Sequence, residues 1–581
     1  MNYNIQWDEK FNLVMEETRI QEGVRVLHIA ADAKEGAGKF FADVRWQIPD
    51  IGIHTTWSPG SYKRSGIGPN WGVYDTSCAM TWAPVYSDVS WQDENRQTIA
   101  CSDVKNEVKI HTGVIEENGC LDCAVKISVA CSVSHYEADI RIDDRKIPFY
   151  EAVDDARRWW EGYEELAPVP VPECARMPVY STWYSFHQQV DVPSILEECR
   201  YFAKLGCKTV IVDDGWQTED NGRGYDYCGD WHVAAAKVPD MRAFVEAVHE
   251  AGMKFMLWYS VPFVGEYSEA YARFSDKMLA RRGNGKTHVL DPRYPEVREY
   301  LIELYRKAVL DWDLDGFKLD FVDSFSQSDV VKDGMDYVSV YDAVDRLLKD
   351  VMKNLRQLKP DILIEFRQAY IGPLMRTFGN MFRSGDCPCD SLSNGLNTLA
   401  LRMTSGETAV HSDMVMWNYE ESAELAAFQL TRVLFGVPQI SVRHERLSQR
   451  QADMVARFLE LWTKYRETLL DGEMLYKGYV SNYPYVSARS QKVQVGAVYA
   501  GRIAYVEVPT EEIVLFNASM ENQVLIDCKG GDEYDYCIYD CCGVKTGTGK
   551  IRLDGLSVIE DVPVNGTVIL TDCKKCPNTA A

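Results

Sequence analysis

The feature that most constrains this chain lies in its middle, where short β-branched runs alternate with helical periods. The strand-like runs are VYSTWYS (179–185), KTVIVDD (208–214), KFMLWYS (254–260), GFKLDFV (316–322), ILIEFR (362–367), MFRSGD (381–386), TAVHSD (408–413) and QISVRH (439–444). Between them fall SILEECRYFAKLG, MRAFVEAVHEAG, PEVREYLIELYRKAVLDW, YDAVDRLLKDVMKNLRQL and ELAAFQLTRVLFG, with apolar residues at helical spacing. Strands that alternate with helices pair in parallel, and eight is the number that closes a (β/α)8 TIM barrel. An open doubly wound sheet usually has fewer strands and a glycine fingerprint after the first, which STWYSFHQQVD does not supply. The barrel is the expected fold.

A barrel takes about 250 residues, so the 581-residue chain has material for more. Residues 1 to about 170 carry alternating runs such as VRVLHIAADA, CAVKISVACSV and YEADIRIDD, split by Gly, Asn and Asp, which predict antiparallel β-structure. The proline-spaced segment Leu166 to Pro178 reads as a linker. KVQVGAVYAG, RIAYVEVP, QVLIDC and GTVILTD repeat the short-strand pattern near the end. The expected partition is 1–170, 171–468 and 469–581, with an antiparallel β domain at either end.

The net charge of −25 repels phosphate backbones and anionic lipid heads. No nucleic acid and no membrane surface is expected as a partner. The longest nearly apolar run, Phe255 to Val264, is about half of a bilayer span. The start, MNYNIQWDEKFNLVMEE, has no basic stretch leading into an apolar one. Together with 17 scattered cysteines this predicts reduced thiols in a cytoplasmic protein. Cys120-x-x-Cys123 and Cys573-x-x-Cys576 lie too far apart in sequence to argue for zinc. GAGKF (36–40) lacks the Ser/Thr of a P-loop, and GNGKT (283–287) runs into the strand-like HVLD.

Barrel active sites sit where strands end at the C-terminal face. The eight runs end on Trp183; Asp213 and Asp214; Trp258; Lys318 and Asp320; Glu365 and Arg367; Asp386; His411 and Asp413; Arg443 and His444. Any one of these is readily a helix cap or a loop ion pair. A whole ring of them is not, because isolated buried charges are costly. Several carboxylates, one cation and aromatic plates, with no metal ligand set or cofactor cradle, fit glycoside hydrolysis. The strand period of two puts Lys318 and Asp320 on one inward face, where the ammonium keeps Asp320 ionised as a nucleophile requires. Asp386 is followed by CPCD, a tight and partly apolar turn expected to raise its pKa for acid work. Trp183, Trp216, Trp231 and Trp258 would offer flat faces to sugar C–H edges, each with core packing as its alternative. Candidate substrate-binding residues are therefore Asp213, Asp214, Lys318, Trp183, Trp258, Arg367, Trp216 and His411.

STWYSF, VIVDDGWQ, GDWHV with a following Lys-x-Pro, GMKFMLWYSVPFV, HVLDPRYPEVREYL, DGFKLDFV and FRSGDCPCD come in the order seen in the melibiase-like α-galactosidases. By these motifs, residues 175–465 resemble glycoside hydrolase family 36. The resemblance implies an N-terminal β-sandwich, a (β/α)8 barrel and a C-terminal β domain, and a metal-free retaining exo-hydrolase that works by double displacement. Carried over, Asp320 resembles the family nucleophile and Asp386 its acid/base. Asp213 and Asp214 resemble the pair that holds galactose hydroxyls, Lys318 looks like the sugar-binding lysine, and Trp183 and Trp258 look like pocket aromatics.

The chain also departs from the pattern. The family's Ser-Cys-x-x-Gly-Gly loop, which reads the sugar's 2-position, is EFRQAYIGP here. Arg367 within it is either a structural partner of Glu365 or a substrate ligand. The tryptophan of Lys-Trp-Asp is Leu319, and the arginine common before HVLDP has only Lys286 or His288 as stand-ins. The resemblance therefore implies a small-molecule or oligosaccharide substrate, most simply a terminal α-galactoside. The alternatives are a retaining α-glycosidase or transglycosylase with another glycone, such as an α-N-acetylgalactosaminide, and a non-catalytic carbohydrate-binding protein. The β-rich flanks leave room for a homo-oligomer.

Overall fold

The computed structural model describes residues 2–60, 66–72, 74–283, 285–501 and 503–573. Its centre is a parallel sheet whose strands are β1 (Val179–Ser181), β2 (Thr209–Val212), β3 (Lys254–Ser260), β4 (Gly316–Asp320), β5 (Leu363–Arg367), β6 (Met381–Arg383), β7 (Ala409–His411) and β8 (Gln439–Ile440). They pair in the order β7-β6-β5-β4-β3-β2-β1-β8. Single parallel bridges from His411 to Val437 and from Val415 to Ile440 bring β7 back to β8. The expected TIM barrel is the observed fold. Every strand but β3 is shorter than its sequence run, so Asp213, Asp214, Asp386 and Asp413 lie on the loops just beyond β2, β6 and β7.

Helices pack around the ring through apolar stripes, and most of them start on a polar cap. Asp191 accepts from Ser194 N, Asp240 from Ala243 N and Ser339 from Asp342 N, and Ser448 with Gln451 forms a capping box. One crossover is exceptional. Between β5 and β6 the chain makes only a 3-10 turn, Pro373–Thr377, which keeps the ends of these two strands close. The floor of the barrel is apolar, formed by Ala175, Val179, Ile211, Met256, Leu363, Met381 and Ala409.

Before the barrel, two antiparallel sheets of five and six strands enclose a core that includes Leu27, Ile29, Trp46, Ile99, Val125 and Ile140. The strand Gly38–Pro49 shows why: Phe40, Ala42, Val44 and Trp46 alternate inward at the period of two. Cys120 and Cys123 share one strand at a spacing that turns them to opposite faces. The helix Phe149–Glu161 was not legible from the alternating runs. It buries Phe149, Ala152, Val153, Ala156 and Trp160, and its Glu161 pairs with Arg376 of the barrel. After the barrel, the last sheet is antiparallel except where Val493–Val498 meets Glu512–Phe516 and Ile503–Val506 meets Gln523–Tyr539. GNGKT leads into the strand Thr287–Leu290, as its sequence suggests; Asn284 and Cys576 lie outside the described residues. Among the described residues, no helix is long and apolar enough to cross a membrane.

Candidate active site

Above the apolar floor the inward positions become polar. Trp258 stands beside Lys318 and Lys318 beside Glu365, while Arg367 stands beside Arg383 and Arg383 beside His411. Period-two alternation forces this: the residues that follow Met256, Leu363, Met381 and Ala409 by two face the same interior.

Asp320 ends β4 with only 6% of its surface exposed. Its Oδ1 accepts from Arg367 Nε at 2.7 Å, Tyr370 OH at 2.6 Å and Phe321 N at 2.8 Å, and its Oδ2 from Trp258 Nε1 at 3.0 Å. The left-handed backbone of Phe321 (φ 62°) accompanies the short contact of its N–H with the preceding carboxylate. Burial alone would raise the Asp320 pKa, but Arg367 and Lys318, with the Tyr370 and Trp258 donors, hold it far below the usual carboxylate range.

Lys318 Nζ donates to Asp213 Oδ2 at 2.6 Å, not to Asp320. Burial would discharge this ammonium, and the Asp213 carboxylate overrides it. Asp214 is held by Gln188 Nε2 and Gln217 Nε2, each at 2.6 Å. Its carboxyl is pushed up to about 6, first by burial and then by the neighbouring charge of Asp213. Gly215 permits this turn: its φ is +116°, and a Cβ there would sit 2.5 Å from Gln188 Cα.

Asp386 follows β6 and its side chain is half exposed. Arg383 Nη2 donates to its Oδ1 at 2.9 Å. Burial would raise its pKa, but Arg383, Arg367 and Lys318 lower it, while the charge of Asp320 opposes them. The apolar turn expected to raise this carboxyl in the free protein is thus outweighed by the guanidinium beneath it. Asp320 and Asp386 share the fields of Arg367 and Lys318, and the charge of Asp320 reaches Asp386.

Four other expectations need correction. Trp216 offers no face to a ligand. It is fully buried, donates from Nε1 to Trp258 O at 2.9 Å, and packs between Trp231, Tyr259 and Trp312 on the outer side of the sheet. His411 lies deep in the barrel, donating from Nε2 to Ala175 O of the floor at 2.8 Å. Burial and then the repulsion of Arg383 lower its pKa to about 4, so the ring is neutral. Arg367 is not the partner of Glu365; it grips Asp320. Glu365 instead accepts from Gln439 and faces Arg383. Trp183 opens the short helical turn Trp183–Phe186, not the end of a strand, and is partly exposed, edge-on to His187. Lys286 donates to Tyr267, and His288 Nε2 meets Glu266 Oε1 at 3.1 Å.

Sequence reasoning missed Arg383, Tyr370, Tyr184, Gln188 and Gln217. Arg383 follows Met381 by two in FRSGD, so the alternation that singled out Lys318 and Asp320 applies to it equally. It is fully buried and serves Asp386, Asp413 and Glu365. Asp413 also accepts from Tyr184 OH at 2.9 Å and Cys387 N at 2.7 Å. Tyr370 and Gln188 sit on loops, where no period marks them.

Fold and site together define a (β/α)8 protein with a carboxylate-rich, arginine-braced centre at the C-terminal ends of its strands, the placement usual for barrel enzymes. Residues 175–369 match the Melibiase family model, and over that third of its length the chain is similar to melibiase-like proteins. It is 27% identical over 202 residues to the α-galactosidase Mel36A of Lactobacillus acidophilus, which takes in 32% of this chain and 26% of that protein. Over 354 residues, 53% of this chain and 31% of the relative, it is 23% identical to the A type blood α-D-galactosamine galactosaminidase of Flavonifractor plautii. The matched part thus spans about a quarter to a third of these curated relatives. In structure it is similar to the family 36 α-galactosidase AgaA of Geobacillus stearothermophilus, solved with raffinose (TM-score 0.67, 15% identity, 97% of this chain and 81% of that one). The α-galactosidase of Lactobacillus brevis gives a TM-score of 0.65 at 14% identity, with 100% and 87% covered.

Proposed function

We propose that the chain is a retaining exo-α-glycosidase that hydrolyses terminal α-galactosides by double displacement. The observation that carries this reading is the pairing of Asp320 and Asp386. They are two carboxylates at the C-terminal ends of β4 and β6; the charges of Arg367 and Lys318 lower the pKa of both, and Asp386 also feels the charge of Asp320. Asp320, fully ionised, attacks the anomeric carbon while protonated Asp386 gives its proton to the departing oxygen. The ionised Asp386 then takes a proton from water, whose oxygen displaces Asp320 from the sugar. Asp213, Asp214 and Lys318 hold hydroxyls, and Trp258 and Trp183 flank the sugar. The barrel, residues 171–468, is the catalytic unit.

The test is hydrolysis of aryl α-glycosides with the anomer of the first-formed sugar read by NMR. Galactose should appear first as the α-anomer. Asp320→Asn and Asp386→Asn should each lose most turnover. With azide, Asp386→Ala should give the α-glycosyl azide and Asp320→Gly the β-azide, because the nucleophile enters from opposite faces. Near wild-type rates in both Asn variants would reject the assignment.

A second reading has its own support. The likeness to the galactosaminidase extends over more of this chain than that to Mel36A, and the loop EFRQAYIGP differs from the family's 2-position loop. An α-linked 2-amino or 2-acetamido sugar is the alternative glycone. Comparing kcat/KM for the galactoside and its 2-acetamido analogue separates the two.

A further inference from the structure

The segment at and after the end of β5 is where this chain departs most from the pattern it otherwise follows, and most of its polar groups are engaged, the buried Nε2 of Gln368 having no hydrogen-bond partner among the described residues. Glu365 is fully buried with Gln439 and Arg383. Gln368 Oε1 accepts from Gly385 N at 2.9 Å. Arg367 Nε and Tyr370 OH both donate to the same atom, Oδ1 of Asp320, with the Phe321 amide as third donor. Oδ2 has the single donor Trp258 Nε1. The two oxygens of this carboxylate are therefore not equivalent.

We infer that Arg367 and Tyr370 are positioning residues that clamp Oδ1 of Asp320, leave Oδ2 as the attacking atom, and favour the release of the carboxylate from the sugar. The inference rests on the double-displacement reading above. In the first step Oδ2 bonds to the anomeric carbon as the bond from that carbon to the aglycone oxygen breaks. The aglycone oxygen takes the proton of Asp386, and the charge on Asp320 disappears into an ester. Donors that grip the charged form oppose this step. In the second step a water oxygen bonds to the anomeric carbon, its proton goes to Asp386, and the bond to Oδ2 breaks. The electron pair returns to the carboxylate, where Arg367 and Tyr370 are already aimed. The clamp slows the first half and speeds the second. A segment that in the resembling family reads the sugar thus acts here on the nucleophile.

The experiment compares wild type with Tyr370→Phe and Arg367→Lys on aryl α-galactosides of graded leaving ability. The readouts are pre-steady-state bursts, quenched intact mass, and the pH profile of kcat/KM. Tyr370→Phe keeps the ring that packs edge-on to Phe366, so its thermal midpoint should stay near wild type and it remains a test if Arg367→Lys folds poorly. For the best leaving groups, deglycosylation should fall about tenfold to a hundredfold, as loss of a hydrogen bond to a charged group does. A burst and a covalent glycosyl adduct should then appear, with kcat reduced far more than kcat/KM. The acid limb of kcat/KM should move up by about one pH unit. A variant with no burst, no adduct and an unmoved acid limb overturns the clamp. So does an equal loss in both steps, which a merely structural role would give. If wild type turns over no α-glycoside, the double-displacement reading itself falls.

Discussion

Arg383 Nη2 donates to Asp386 Oδ1 at 2.9 Å from a side chain with no solvent exposure. This contact sets the resting charge of the proposed acid. Asp386 must be protonated to serve the leaving oxygen, yet Arg383, Arg367 and Lys318 favour its ionised form in the free protein. Substrate at the rim would strip water from the half-exposed carboxyl and strengthen the opposing effect of burial. The profile of kcat/KM reports the free enzyme and that of kcat the complex. The basic limb of kcat/KM should therefore lie at lower pH than the basic limb of kcat. Coincident or reversed limbs would refute this account of Asp386.

Arg383 also answers two fully buried carboxylates, Asp413 and Glu365. Burial raises the pKa of both, with Arg383 as the chief opposing charge. Replacing it with methionine keeps much of the volume and removes the cation. Breaking a buried pair this way costs about 3–5 kcal/mol. The loss should grow with pH, because the stranded carboxyls would stay protonated in the fold and ionise when unfolded. Thermal or urea unfolding of Arg383→Met at pH 5 and pH 8 checks this; an equal loss at both would mean that the carboxyls do not depend on Arg383.

The barrel was legible because its period is: β-branched runs spaced by helical stretches leave one economical closure. The same alternation placed Lys318 and Asp320 on one interior face. It failed where the chain leaves its strands. Trp183 and Asp386 lie past strand ends, so their surroundings follow from loop geometry, and the guanidinium under Asp386 reversed the expected pKa shift. Trp216 shows a different limit. Sequence marks an aromatic near the rim without saying which side of the sheet its ring takes, and the Gly215 turn sends this one outward. His411 obeyed the strand period, but one layer too deep to meet a ligand.

Trp216 and Trp258 should consequently separate in their effects. Trp216→Phe loses a buried hydrogen bond and part of a packed ring, about 2 kcal/mol of stability, while KM for an α-galactoside stays within about twofold. Trp258→Phe trims the ring proposed to flank the sugar and should raise KM for the same substrate by about tenfold. Paired melting and kinetic measurements decide it. A large KM change in Trp216→Phe with unchanged stability would return that ring to the binding site.

The N-terminal β-structure holds an ionisable group of its own. Asp88, on the strand Val85–Val89, is fully buried. It accepts from Thr112 Oγ1 at 2.5 Å and Gln97 Nε2 at 3.3 Å, and Gln97 in turn accepts from Trp46 Nε1 at 2.7 Å. No salt bridge to Asp88 is formed among the described residues. Burial, only partly offset by these neutral donors, pushes its carboxyl up to about 7. The folded state therefore binds a proton that the unfolded chain, with an ordinary aspartate near 3.9, has released. The contribution to stability should be complete below about pH 4 and be lost as pH rises from there through 7. The loss amounts to roughly 4 kcal/mol, since each pH unit between the unfolded and folded values is worth about 1.4 kcal/mol. Asp88→Asn, which cannot ionise, should flatten this part of the profile and be relatively more stable than wild type at pH 8 than at pH 5. Urea unfolding followed by the fluorescence of buried Trp46 gives the slope for both proteins, and a wild-type profile without decline between pH 4 and 8 would show that Asp88 does not stay protonated in the fold.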